Sequence, residues 1–159
     1  PSTWPGMSGT TSGVFPMTTL VFTPELKAFF DVHPLIHLCT FGGHDLGCRA
    51  ALAALDEYDR QSPWDMARET GERLLQELSK LAGGKSPLRS VTGRGLLISL
   101  KLRSEKAARA FIAGARDNGL FVSSGTVDHS CIVLRPSLLI GDPEVSLIVD
   151  AVGKTLESL

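Results

Sequence analysis

The sequence is short of everything that marks the specialised protein classes. No uninterrupted apolar run approaches the roughly 18 to 20 residues that a bilayer-spanning helix needs, so no such helix is expected. Cysteine is scarce: Cys39, Cys48 and Cys131 are the only three. They are odd in number and nowhere spaced C-x-x-C, which argues against a disulfide framework or a zinc site and fits a reducing, cytoplasmic compartment. The four histidines (His33, His37, His44 and His129) have no ligand-like spacing, and no metal is expected. Charge of one sign is also missing. Sixteen basic residues stand against 17 acidic ones, for a net charge of −1, which gives no reason to expect nucleic acid or an anionic membrane surface as partner. No basic residue precedes Lys27, so the Ser/Thr/Gly/Pro-rich stretch Pro1–Gly13 lacks the basic start of a signal peptide. Opening on proline rather than methionine, the chain is expected to be a fragment, a processed product or the ordered part of something longer.

What remains is an ordinary globular composition, 43% hydrophobic and 21% charged over 159 residues. That is enough for one domain, or for a small domain joined to a segment of a larger one. Pro1–Pro16 reads as loop and Met17–Phe22 as a short strand. Thr23-Pro24-Glu25 then starts a short helix that ends before His33-Pro34. A loop from His37 to Gly43 leads into a long helix, about His44–Asp59, whose small residues (Gly47, Ala50, Ala51 and others) permit close approach of another backbone or a ligand. Ser62-Pro63-Trp64-Asp65 has the form of a capping box. It opens a second long helix with apolar positions Met66, Leu74, Leu78 and Leu81, which stops at Gly83-Gly84.

From Leu88 the pattern alternates between strand and helix. Strands are predicted over Leu88–Val91 and Leu96–Leu102 around a Gly93-Arg94-Gly95 turn, the second with strict period-two alternation. Ser104 caps a helix to Asp117, and Asn118-Gly119 stops it. Leu120–Ser123 and Cys131–Leu134 follow as strands. Asp142-Pro143-Glu144 caps a last helix with its apolar face at Val145, Ile148, Val149, Val152 and Leu156. Trp4 and Trp64 are expected to be packing residues. Residues 85–159 therefore read as a small α/β unit, joined by a linking helix (61–84) to residues 1–60, whose loop, strand and helix cannot close a core alone and look like the end of a larger domain.

Four segments carry a resemblance. They are Ser12-Gly13-Val14-Phe15-Pro16-Met17; His37-Leu38-Cys39-Thr40-Phe41-Gly42-Gly43 before the alanine-rich helix; Val91-Thr92-Gly93-Arg94-Gly95-Leu96-Leu97; and Leu134-Arg135-Pro136-Ser137-Leu138 before the last helix. In order and spacing they resemble the class III aminotransferases of fold type I, the family of the ornithine, putrescine and γ-aminobutyrate enzymes. The resemblance implies an α/β chain: the end of the large cofactor domain (1–60), then a small C-terminal domain with a short, mainly antiparallel sheet. It implies pyridoxal 5′-phosphate as cofactor, an upstream large domain, a homodimer with shared active sites, and a small-molecule amine with a keto acid or aldehyde as substrates. Thr40, Phe41 and Gly42 would bind the cofactor, Thr40 reaching the phosphate of the neighbouring subunit. Taken alone, a hydroxyl and two glycines ahead of a helix offer donors to an anion, but they serve equally as a helix start and a turn.

The departures from the family pattern are specific. A pyridoxal enzyme needs a lysine to hold the cofactor as a Schiff base and to shuttle a proton. In an ungapped match that lysine falls at Ser8. In a gapped one, Met7-Ser8-Gly9-Thr10-Thr11-Ser12-Gly13 is the family's S-K-G-x-T-G-G with the lysine cut out between Ser8 and Gly9. No catalytic residue is therefore present as written. Two readings stay open: a cofactor-bearing lysine belongs between Ser8 and Gly9, or the chain is a catalytically dead aminotransferase-like module used for dimerisation or docking. On neither reading would these 159 residues be active alone, because the seven-stranded cofactor domain is not among them. His44, Asp45 and Thr92 replace the usual asparagine, proline and arginine. The ornithine enzyme's carboxylate-binding arginine aligns with Val133. Arg135, two positions on, is either a displaced carboxylate clamp or an ordinary solvated arginine. Without a clamp, an amine or ω-amino substrate fits better than an α-amino acid.

Overall fold

The computed structural model describes residues 11–17, 19, 21–36 and 42–159, which divide into two compact units, Pro1–Gln61 and Ser62–Leu159. Among these residues no helix is long and apolar enough to cross a membrane.

The first unit contains α1 (Pro24–Val32) and α2 (Asp45–Gln61). Thr23 sits at the expected N-cap position with Pro24 behind it, but its side chain does not cap the helix. The hydroxyl instead hydrogen-bonds Glu25 and, with a backbone N–H, holds that carboxyl below its ordinary value. The strand expected over Met17–Phe22 is reduced, among the described residues, to an isolated bridge at Thr19. A strand is stabilised only by a partner along its ladder. The buried residues described here are Thr11, Gly47 and Ala51, while Val14, Val21, Phe29, Val32, Leu46, Leu52 and Leu55 are exposed. The described part of this unit has no hydrophobic core of its own.

The second unit has one. Its sheet is four-stranded and wholly antiparallel, in the order β1-β2-β4-β3. The strands are β1 (Leu88–Arg94), β2 (Leu97–Leu102), β3 (Ser123–Ser124) and β4 (Cys131–Leu134), and the helices are α3 (Pro63–Lys80), α4 (Glu105–Asp117) and α5 (Asp142–Glu157). Ile98 and Leu100 of β2 are buried and pair with Leu134 and Ile132 of β4, while Leu102 pairs with Leu88 of β1, and all of these are buried. Ser99 and Lys101 between them are half-buried, and Leu97 before them is 58% exposed. One face of the sheet is thus covered by helices and the other is open, the arrangement that period-two alternation encodes.

The expected linking helix, 61–84, is α3, and it packs within this second unit: Leu74 and Leu78 are fully buried beside Phe111 of α4 and Val152 of α5. Its buried face is Ala67, Thr70, Gly71, Leu74 and Leu78, at steps of three and four. Met66, expected on the apolar face, is 40% exposed and Trp64 is 53% exposed. Small residues take the inward positions instead. Trp4 lies outside the described residues.

Several local expectations are corrected by geometry. Ser62 makes no side-chain cap; it stands in the left-handed region at φ 45, ψ 52. The β1–β2 turn is Gly95-Leu96, because Arg94 already pairs with Leu97. Gly95 at φ +54 is the glycine-first pattern of a II′ hairpin. The strand expected at Leu120–Ser123 is only β3, Ser123–Ser124. The N-cap of α5 is Gly141, not Asp142, and its N–H donates to Glu144 Oε2 at 2.9 Å. Ser104 caps α4 as expected, its Oγ accepting from the Ala107 N–H at 3.1 Å.

Candidate functional site

The segments singled out in the sequence fall in two places. In the first unit, the glycine-rich segment and the start of α2 come together. Thr11, 1% exposed, closes a tight turn on itself: its Oγ1 donates to the Phe15 carbonyl at 2.5 Å and accepts from the Phe15 N–H at 3.3 Å. Ser12 and Gly13, at φ 51 and φ 81, reverse the chain. Glycine takes that region freely and serine at some cost. The Ser12 hydroxyl lies 3.0 Å from the Tyr58 hydroxyl on α2. Phe15 then stacks on His44, ring centroids 5.0 Å apart and planes 19° apart. Phe15 and Met17 lie over Gly47, where a Cβ would stand 2.9 Å from Phe15 Cδ1 and 3.1 Å from Met17 Sδ.

Of the expected cofactor-binding residues, Gly42 is exposed in the turn before α2. Gly43 beside it has φ +66, and a Cβ there would meet nothing within 4 Å. Thr40 and Phe41 lie outside the described residues, as do Ser8 and Gly9. His44 opens the helix: its carbonyl accepts the Cys48 N–H at 2.9 Å. Phe15 and Thr11 stood inside the motif segments with no role of their own assigned, and Tyr58 was not singled out from the sequence. The signals available were the glycine at position 47 and a serine–threonine turn around Thr11, neither of which names its partner.

In the second unit, the Val91–Leu97 segment forms the β1–β2 hairpin, and its glycines have a packing reason. Gly71 of α3 lies so close to Gly95 that a Cβ on Gly71 would overlap the Gly95 carbonyl group and stand 2.6 Å from its Cα. Val133 lies on β4 opposite Ser99 and Ser123, half-buried. Arg135 follows the end of β4 at Leu134 and is exposed, so strand alternation stops one residue short of it. It lines a shallow depression with Leu120, Phe121, Pro136 and Ile148. Among the described residues it forms no ion pair. The two candidate regions lie in different units, and each stands by itself.

Residues 7–156 match the model of the family described as aminotransferase class-III. The chain belongs to the class III aminotransferases. Among its relatives, it is 31% identical to the mitochondrial ornithine aminotransferase of Rattus norvegicus, covering 92% of this chain and 32% of that one. It is 30% identical to an aminotransferase of Archaeoglobus fulgidus, over 96% of this chain and 35% of the relative. Among solved structures it superposes on an (S)-enantioselective omega-transaminase of Thermomicrobium roseum with a TM-score of 0.82 at 26% identity, over 94% of this chain and 35% of that one. An amine transaminase of an uncultivated Pseudomonas species, solved in its PLP-bound form, gives the same TM-score and identity over 94% and 36%. The chain thus spans about a third of the length of the aminotransferases it matches, and its fold is the corresponding part of a fold-type I transferase.

Proposed function

We propose that this chain is the C-terminal portion of a pyridoxal-phosphate-dependent aminotransferase that moves an amino group between an amine or amino acid and a keto acid or aldehyde. In this reading it works as a homodimer with shared active sites, and an upstream large domain supplies the rest of the cofactor pocket. The observation that carries the reading is the convergence, on the start of α2, of the two family segments that handle the cofactor. Segment 11–17, just after the lysine position, lies on His44 and Gly47, and Gly42-Gly43 leads into the same helix.

The residues present fit the anionic end of the cofactor. Gly42 and Gly43 are exposed and carry no side chain over the turn, and the first N–H groups of a helix are unpaired donors that favour a phosphate. Thr40 would add its hydroxyl, reaching the phosphate in the neighbouring subunit, with Phe41 and Gly42 beside it. When bound, pyridoxal phosphate supplies the electron sink that labilises a proton on the amino-bearing carbon. The amine that must hold it is not found in this chain as written. The first lysine, Lys27, is committed to Asp31 on exposed α1 at 2.6 Å, which supports a lysine at the Ser8–Gly9 junction rather than a substitute elsewhere. Val133, in place of the ornithine enzyme's arginine, supports an amine or ω-amino donor. Arg135 is the one residue of this segment able to clamp a carboxylate.

The test is direct. The complete protein carrying this chain should show the visible absorbance of a lysine-bound pyridoxal cofactor, and borohydride should abolish it. Peptide sequencing by mass spectrometry should then find the reduced cofactor on a lysine between Ser8 and Gly9. A chain that joins Ser8 directly to Gly9 and shows no such band would overturn the proposal in favour of a non-catalytic module.

A further inference from the structure

Segment Thr11–Met17 is fastened to α2 at two places. The Ser12–Tyr58 hydroxyl pair, 3.0 Å apart, holds its beginning. The Phe15 ring holds the other end, stacked on His44 at 5.0 Å and seated over Gly47. Three features make the second fastening a fitted one. Thr11 pins both the N–H and the carbonyl of Phe15, so the ring leaves a backbone already fixed. Gly47 is buried inside a helix, where glycine is less favourable than alanine, and the space it leaves is the space the ring fills. The His44 ring lies nearly parallel to it, at 19°, and His44 is also the residue whose carbonyl begins the hydrogen-bond ladder of α2 directly after Gly43.

We infer that Phe15, seated between His44 and Gly47, is a positioning residue: it sets the segment following the Ser8–Gly9 junction against the turn that begins α2. The inference rests on the aminotransferase reading, in which that junction carries the cofactor and that turn holds a cofactor phosphate. Phe15 touches neither. Its ring transmits the position of one segment to the other, and His44, which stands where the family has asparagine, is the partner that makes stacking possible in this chain.

The test uses His44→Ala, His44→Phe and Gly47→Ala in the complete protein, with two readouts. The first is hydrogen exchange at the Val14 and Phe15 amides, which bond to the Thr11 carbonyl and hydroxyl. The second is the pyridoxal phosphate dissociation constant, with the circular dichroism that the bound cofactor acquires. His44→Ala should speed exchange and weaken cofactor binding by about two- to ten-fold, the range one stacked aromatic pair supports. His44→Phe should restore both. Gly47→Ala should act like His44→Ala even though alanine favours the helix, an effect that a role confined to fold stability would not give. The inference is overturned if His44→Phe behaves as His44→Ala, or if Gly47→Ala leaves both readouts unchanged. Should the unaltered protein bind no pyridoxal phosphate, the aminotransferase reading falls, while the exchange arm still decides whether the stack holds the segment.

Discussion

At the residue scale, Asp128 gathers hydrogen bonds from two neighbours. Lys101 of β2 reaches its carboxylate, and Ser130 donates to it from Oγ at 2.6 Å and from the backbone N–H at 3.0 Å. The Lys101 hydrogen bond, then those from Ser130, hold this carboxyl well below its ordinary value of 3.8. A carboxyl so depressed binds its proton less readily in the folded than in the unfolded chain. Its contribution to stability is therefore fully present above the ordinary value and shrinks as pH falls below it. Asp128→Asn is expected to lower the melting temperature by a constant amount above about pH 5, with the gap to the unaltered protein closing as pH falls below the carboxylate range. Equal gaps at pH 7 and pH 3 would show that the charge itself contributes nothing. Asp128 carries no family motif, and from sequence alone it was one more acidic loop residue; its partner on β2 is 27 positions away.

At the scale of elements, local patterning located the five described helices: apolar spacing for α3 and α5, small residues for α2, and start and stop residues for α1 and α4. It did not choose the packing residues within α3. Leu74 and Leu78 were legible as apolar positions, but Met66 and Trp64 face outward while Gly71 faces in. The reason is a close approach of backbones that no hydropathy pattern records. Gly71→Ala is expected to destabilise the second unit by about 1 to 3 kcal/mol net of the helix propensity gained, because the added Cβ meets fixed backbone atoms of Gly95 rather than a movable side chain. A urea titration checks this; an unchanged or higher midpoint would mean that the hairpin yields. The junction of α2 and α3 carries a different lesson. Ser-Pro-x-Asp reads as a capping box, yet Ser62 adopts φ 45, a conformation that takes its hydroxyl away from the capping position.

At the scale of the whole molecule, the described residues of the two units differ in self-sufficiency. Ser62–Leu159 encloses one continuous cluster running from Ala67 through the sheet to Leu156, whereas α1 buries no residue and α2 only Gly47 and Ala51. A segment with its own core is able to fold alone. Ser62–Leu159 produced by itself should therefore unfold in urea as one cooperative transition with fixed near-ultraviolet circular dichroism. A gradual transition with dye-binding apolar surface would instead show a dependence on residues outside it.

The sequence by itself determined the element order, the alternation that buries one face of β2, and the four motif segments that place the chain among the class III aminotransferases. All of these are written in the spacing of neighbouring residues. Only the tertiary structure decided which glycines answer to packing, Gly71 to Gly95 and Gly47 to Phe15, and that the glycine-rich segment lies on the start of α2. Those are contacts between parts of the chain more than 20 positions apart. A glycine in a sequence states only that a side chain is missing, and what fills the vacated space is fixed by the fold.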